Sequence, residues 1–338
     1  MNSATITEIL KNIKETEKKE AAYAIIRNCK PIRITQKNFR QIKECKNAKI
    51  TYIDGGNAEI INSSELSLQI IQTAAVTKEG KKTVKKTKTM FYTLTQAEEK
   101  EGKIIFSTKI FPVTGDAIPE EKALCIDSMD ETVTEGKNRA SINCIGRIAR
   151  KFSEWLMCRQ TAETLEEGDI IVRDGNLEVD YTNEVKYAYD TIKTLKDKKI
   201  TLAGVAKTSK VFCDNGKNVT NELDDISKED SWYYYPLAEN CNTLFAKLNK
   251  KSKHVFRIDF ECYEEDIDKL ICALRDDSKD ITFPGYPYGL IEADKYARVS
   301  NQEKDFLKTM LLAKAGKDAE RLNKIMSTSN AHEILDKM

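Results

Sequence analysis

The stretch Ile50-Thr51-Tyr52-Ile53-Asp54-Gly55-Gly56-Asn57 constrains this chain more than any other. β-Branched and aromatic residues in alternation favour a short buried strand. The strand ends in a carboxylate, and two glycines follow that let the backbone turn sharply or approach a ligand closely. Asp54 is therefore expected at the carboxyl end of a strand, fixed by a rigid sheet. The device recurs downstream as Gly168-Asp169-Ile170-Ile171-Val172-Arg173-Asp174-Gly175. Two strand-end Asp-Gly elements in one chain point to a carboxylate site for divalent metal.

What kind of chain carries them is bounded by its bulk properties. At 338 residues it can bury a large core, as one domain or one domain with insertions. Lys and Arg total 55 against 54 Asp and Glu, so the overall field is weak and any nucleic-acid contact must come from local patches. Nine cysteines stand singly, with no C-x-x-C pair, which fits a reduced cytoplasmic protein rather than a disulfide framework or a structural zinc site. Two histidines, His254 and His332, argue against a His-rich metal cage or a Cys-His nucleophile. No apolar run approaches the ~18 residues that span a bilayer, and the first residues do not read as a signal peptide. The expectation is a soluble, globular, cytoplasmic protein with no membrane association.

Along the chain, Thr5-x-x-Glu8 reads as a capping box before an amphipathic helix that runs to about Cys29 and is ended by Pro31. A second short helix is expected over 36–45. Residues 58–61, 67–76, 88–95 and 104–111 read as strands of a meander beside the Asp54 strand. The lysine-rich hairpin Lys78–Lys88 serves either as a solvated loop blunting a sheet edge or as a phosphate contact. A long helix over 138–162 buries Ile142, Ile145, Ala149, Phe152 and Leu156, with Glu154 near the edge of that stripe. Then follow a helix over 183–195, a strand over 199–206, a polar loop over 214–231, a strand over 254–262 and a helix over 264–275. The aromatic run Trp232–Tyr235 reads as core or interface, or as a stacking platform for single-stranded DNA. His254 reads as a surface residue behind lysines that line either a solvated face or a DNA path. Gly285–Asp294 is a turn opening onto a helix, and Ser300-x-x-Glu303 is a second capping box. The division expected is a helical segment over 1–47, a main domain over 48–315 and a helical tail over 316–338.

Strand, meander, helix, strand, helix, strand is the order a ribonuclease H-like site requires. The fold expected is α/β, a mixed sheet flanked by helices with helical additions at both termini. Asp54 and Asp174 would lie side by side if their strands are neighbours, with Glu154 reaching in from the long helix. Such hard oxygen ligands suit Mg²⁺ or Mn²⁺. Two ions ~3.5–4 Å apart can activate a water and stabilise the leaving oxygen in phosphodiester cleavage. The plainer readings are an ordinary turn at each Asp-Gly and a surface ion pair between Glu154 and Arg150.

Three local motifs resemble the NurA family of DNA-end-processing nucleases. Ile53-Asp54-Gly55-Gly56 is similar to its opening Asp-Gly-Ser motif, with Gly56 where serine is usual. Arg173-Asp174-Gly175-Asn176-Leu177, followed by Gly204-Val205-Ala206-Lys207, resembles its central Asp-Gly-Ser-Leu motif and Gly-(Val/Ile)-x-Lys strand. Tyr286-Pro287-Tyr288-Gly289-Leu290-Ile291-Glu292-Ala293-Asp294 resembles its late Tyr-Pro-x-x-Leu-x-x-Ala-His motif, with Asp294 in place of the histidine. The resemblance spans roughly residues 48–315. It implies a ribonuclease H-like fold, Mn²⁺-dependent 5′-to-3′ exonuclease and single-strand endonuclease activity, a homodimer with a central DNA channel, and a HerA-type hexameric ATPase as partner. Carried over, Asp54, Glu154 and Asp174 match its metal-binding carboxylates, Tyr286 its motif tyrosine and Asp294 its last active-site position, which would make Asp294 a fourth metal ligand. Lys207, ending a core strand, reads either as a phosphate contact or as a solvated lysine, and Tyr286 either as a contact to phosphate or base or as a packing anchor. Asp294 can ligate a metal but cannot supply imidazole acid–base chemistry. The alternative is a DNA-clamping or ATPase-docking subunit that keeps the fold without turnover.

Overall fold

A computed structural model describes residues 3–15, 22–44, 48–134 and 136–329. Among them, eleven strands form one mixed sheet. In chain order these are β1 (Phe39–Gln41), β2 (Lys49–Asn62), β3 (Leu66–Glu79), β4 (Lys82–Lys100), β5 (Lys103–Thr114), β6 (Ile126–Asp127), β7 (Ile170–Asp174), β8 (Thr201–Ala206), β9 (Trp232–Tyr234), β10 (Thr243–Lys247) and β11 (Phe256–Glu261). Their spatial order is 1-9-10-11-8-7-2-3-4-5-6. β7 runs parallel to both β2 and β8. β2 to β6 form an antiparallel meander, but the expected strand over 58–61 is the second half of the Asp54 strand itself, and β6 adds a strand where none was expected.

The eight α-helices described are α1 (Ser3–Glu15), α2 (Cys144–Thr161), α3 (Glu184–Asp197), α4 (Val219–Ile226), α5 (Ile267–Asp277), α6 (Tyr288–Ala297), α7 (Asn301–Ala315) and α8 (Ala319–Ser329). The two-residue period of the strands sorts their side chains between two layers of helix. Tyr52, Val76, Val172 and Val205 pack with Leu270 and Ile271 of α5 and Leu290 and Ala293 of α6. Ile53, Ala75, Ile171 and Leu202 face the other way, against Trp155 and Cys158 of α2 and Ala188 and Leu195 of α3. The central strands are therefore apolar on both faces, and each fully buried large side chain contributes roughly 1.5–3 kcal/mol. No helix among the described residues is long and apolar enough to cross a membrane.

Several expectations need correction. The N-terminal helix is described over Ser3–Glu15 and does not run to Cys29; residues 16–21 lie outside the described part. Ala24–Ile25 instead pairs with Phe212–Cys213, and Lys30–Pro31 pairs with Ala238–Glu239. Long-range strand partners override the local helical pattern there. In the second expected helix, Gln36–Asn38 forms one 3-10 turn and then β1 joins the edge of the sheet. Thr5 lies inside α1, not at its cap. The long helix begins at Cys144, because the Ala140 amide donates to the Ser128 carbonyl instead. The supposed polar loop 214–231 contains α4, capped by Asn218, whose side chain accepts from the Thr220 amide. Of the second capping box the serine half stands: the Ser300 hydroxyl accepts from the Glu303 amide at the start of α7, while the Glu303 carboxylate accepts from Gln72 Nε2 at 3.2 Å.

Candidate active site

Asp54 is not at a strand end. β2 continues through both glycines to Asn62, and neither glycine has a positive φ. What ends at Asp54 is the pairing with β7: the last registered pair is Ile53 with Arg173. Asp54 thus falls beside Asp174, where β7 itself stops and Gly175 turns away at φ +91°. The two glycines make room for helices. A Cβ on Gly55 would lie 2.6 Å from Glu154 Oε1, and one on Gly56 would lie 2.5 Å from the Ala297 carbonyl at the end of α6. Gly56, where the resembling motif has serine, is demanded here by that contact.

The carboxylates crowd one another. Asp54 is 7% exposed. Burial, then the charges of Asp174 and Glu154, push its pKa up to about 8, against the pull of the Gly55 amide and Lys207. The Gly55 amide donates to Asp54 Oδ1 at 2.7 Å. Asp174 holds two donors: the Tyr286 hydroxyl at 2.8 Å on Oδ1 and the Lys207 ammonium at 2.7 Å on Oδ2. Burial opposes the charge on Lys207, but the hydrogen bond and attraction to Asp174, helped by Asp54 and Asp294, outweigh it and raise its pKa. Burial and the same carboxylates hold the Tyr286 hydroxyl protonated, so it acts as a donor.

Glu154 is a buried residue of α2, not a surface partner of Arg150. Burial raises its pKa, and Arg150 and Arg173 work against that. Arg150 Nε lies 3.5 Å from Oε1 and Arg173 Nε 4.0 Å from Oε2. Arg173 was read only as part of a motif, yet it is 1% exposed and its guanidinium lies 4.2 Å over the Trp155 ring. Trp155 is tied in turn by its indole N–H to Glu184 at 2.8 Å. Arg173 Nη2 donates to the Asn176 carbonyl, while Nε and Nη1 have no hydrogen-bond partner among the described residues. The signal for it lay in the sequence: one charged residue inside the apolar run of β7.

Asp294 lies on the rim. Its charge is felt by Lys207 and Tyr286, but its carboxylate accepts from Arg298, one turn on. Glu292 points to the opposite edge of α6, toward Thr83 and Lys86. The structure therefore brings Asp54, Glu154, Asp174, Lys207 and Tyr286 together and leaves Asp294 turned aside. Among the described residues no group of three or more His, Cys, Asp or Glu side chains is gathered closely enough to hold a metal ion. Of the aromatic run Trp232–Tyr235, the first three residues are buried strand and pack in the core, while Tyr235 is half-buried. Lys78, expected either in a solvated hairpin or on a phosphate, is 5% exposed and paired with Asp277.

Comparison with known proteins agrees with this architecture. The NurA domain family model matches residues 233–299. The NurA nuclease from Sulfolobus solfataricus is similar in structure, with a TM-score of 0.50 and 13% identity over 93% of this chain and 94% of that one. The catalytic domain of human endonuclease V gives 0.38 and 10% identity, covering 92% of this chain and 99% of that one. Argonaute from A. aeolicus gives 0.34 and 14%, covering 76% of this chain and 29% of that one. No curated protein sequence matches. The resemblance to the NurA family and the ribonuclease H-like fold are both borne out.

Proposed function

We propose, for a chain that bears the NurA domain match on a ribonuclease H-like fold, that it is a divalent-metal-dependent DNA nuclease whose centre is Asp54, Glu154 and Asp174. The observation that carries this is the β2–β7 register, which ends with two carboxylates side by side and Lys207 and Tyr286 on one of them. The donor set fits Mn²⁺ or Mg²⁺: hard oxygens, no imidazole, and a carboxylate whose pKa is pushed up to about 8 by burial and then by the charges of Asp174 and Glu154. Asp54, Asp174 and Glu154, not gathered closely enough for an ion as they stand, would draw together to hold it, with Asp294 as a further ligand once released from Arg298. A bound divalent ion lowers the pKa of its water and neutralises charge on the leaving oxygen.

The chain's own groups do the rest. Lys207, now on Asp174, is placed to pass to a phosphate oxygen when a strand enters. Tyr286 fixes one oxygen of Asp174 and so sets the direction of its second. Arg150, half-buried one turn earlier on α2, and Arg173, buried in β7, are the cations facing Glu154. The resemblance supports the finer reading: single-strand endonuclease and 5′-to-3′ exonuclease action in DNA end resection and recombinational repair, as a cytoplasmic homodimer working with a HerA-type ATPase.

The test is cleavage of a 5′-labelled single-stranded DNA with Mn²⁺ by wild type, Asp54→Ala and Asp174→Ala. Wild type should cut, and both variants, still folded, should fall by at least ~100-fold, the scale of losing a transition-state charge contact. Variants as active as wild type overturn the assignment. One observation favours a second reading, a DNA-clamping subunit without turnover: Asp294 stands where the resembling motif has histidine and is paired with Arg298. An inert wild type that binds DNA but no Mn²⁺ would establish that reading instead.

A further inference from the structure

Beside the carboxylates, a set of rings leads from the site to the surface. Tyr286, bonded to Asp174, packs against Phe283 with ring centroids 5.8 Å apart at 88° and against Phe256 at 5.4 Å. Phe283 in turn stacks on His254, 5.8 Å apart and within 6° of parallel. Phe283 is 42% exposed, His254 is exposed, and the neighbouring Ile281 is 93% exposed. Large apolar groups held open to water cost free energy unless something covers them. Lys251 and Lys253, both exposed, flank the pair.

The pair is also braced. Asn249 Nδ2 donates to the Ser278 carbonyl at 3.1 Å, and the Gly285 amide donates to the same carbonyl at 2.9 Å. The His254 amide donates to Ser252 Oγ at 3.0 Å. Gly285, at φ +94°, lets the second loop close on Ser252, which a Cβ there would meet at 2.5 Å. The two loops thus hold one ring on the other without the ordering cost a mobile side chain would carry.

We propose that Phe283 and His254 form a stacking platform for a nucleobase of single-stranded DNA, next to the nucleotide held at Asp54 and Asp174, with Lys251 and Lys253 taking adjacent phosphates. This rests on the nuclease reading for its direction, and it adds a contact to the base that the carboxylates and Lys207 do not make. A flat ring with flanking cations binds single strands with little sequence preference, because every base offers a π face. Duplex ends, whose bases are already stacked, would gain little from it.

The experiment is fluorescence anisotropy with labelled oligothymidylate and with the same strand made abasic, in a chelator so that nothing is cut. Phe283→Ala should weaken oligothymidylate binding roughly 5- to 140-fold, the span of one lost base–aromatic stack, and leave abasic binding unchanged. Phe283→Trp should restore it, and Lys251→Ala with Lys253→Ala should weaken both strands alike. Phe283→Ala binding as wild type does, or losing both strands equally with its melting temperature intact, overturns the platform. Cleavage with Mn²⁺ separates the two readings. A wild type that shows the base-dependent binding but never cuts removes the nuclease reading alone. A wild type that cuts, with Phe283→Ala binding and cutting equally well, removes the platform alone.

Discussion

At the scale of single residues, Asp54 decides most. Its pKa rises to about 8 in the folded chain against ~3.9 for a free aspartate. The folded state therefore holds more protons than the unfolded state between those values. Stability must fall as pH rises through that window, and the penalty is fully present above it. Asp54→Asn removes the penalty and a metal ligand together. The metal-free variant should melt several degrees higher than wild type at pH 9, by scanning calorimetry, with the gap closing toward pH 4. A variant no more stable than wild type at pH 9 would mean that the burial of Asp54 and its crowding by Asp174 and Glu154 have no energetic weight. Asp174 lies where its strand-and-glycine setting put it, whereas Asp54 lies inside β2 and meets Asp174 only because the β2–β7 pairing stops there. Glu154 was not separable from a surface ion pair, since only tertiary packing shows that Gly55 leaves it a buried place.

At the scale of elements, the site depends on how closely α6 lies on β2. The closest approach is Gly289 over the buried ring of Tyr52, where a Cβ would stand 2.0 Å from Cδ2. Gly289→Ala should cost ~1–3 kcal/mol in urea denaturation, as overpacking does. It should also lower activity further than stability alone explains, because lifting α6 carries Asp294 away from Lys207. An Ala variant of unchanged midpoint and rate would show that α6 sits loosely. The helix start is held by Asp277, which accepts from the Gly289 amide at 2.6 Å and pairs with the buried Lys78. Here the sequence misled: Lys78 belongs to a run of lysines that reads as solvated. Only a buried acidic partner from a distant helix turns one of them inward.

At the scale of the whole molecule, a net charge of +1 supplies no long-range attraction for DNA or metal, so binding must be won locally. Mn²⁺ added to the apo protein near pH 8 should raise its melting temperature saturably and reversibly with chelator. The gain should approach ~2.7 kcal/mol at a hundredfold excess over the dissociation constant. Asp174→Ala should abolish the shift, and a shift that survives in it would place the ion elsewhere. What the sequence determined by itself was the set of elements with strong local signals. The apolar runs of β2, β7 and β8 could only be buried strands, the stripe of α2 only a packed helix, and Ser300 only a cap. What the tertiary structure alone decided was which residues meet. The parallel register of β2 on β7 sets Asp54 against Asp174, and strands from across the chain draw 24–25 and 30–31 into sheet where the local pattern reads as helix. Local propensity acts over a few residues, whereas these contacts join positions more than a hundred apart, and nothing short of the folded chain encodes their distance.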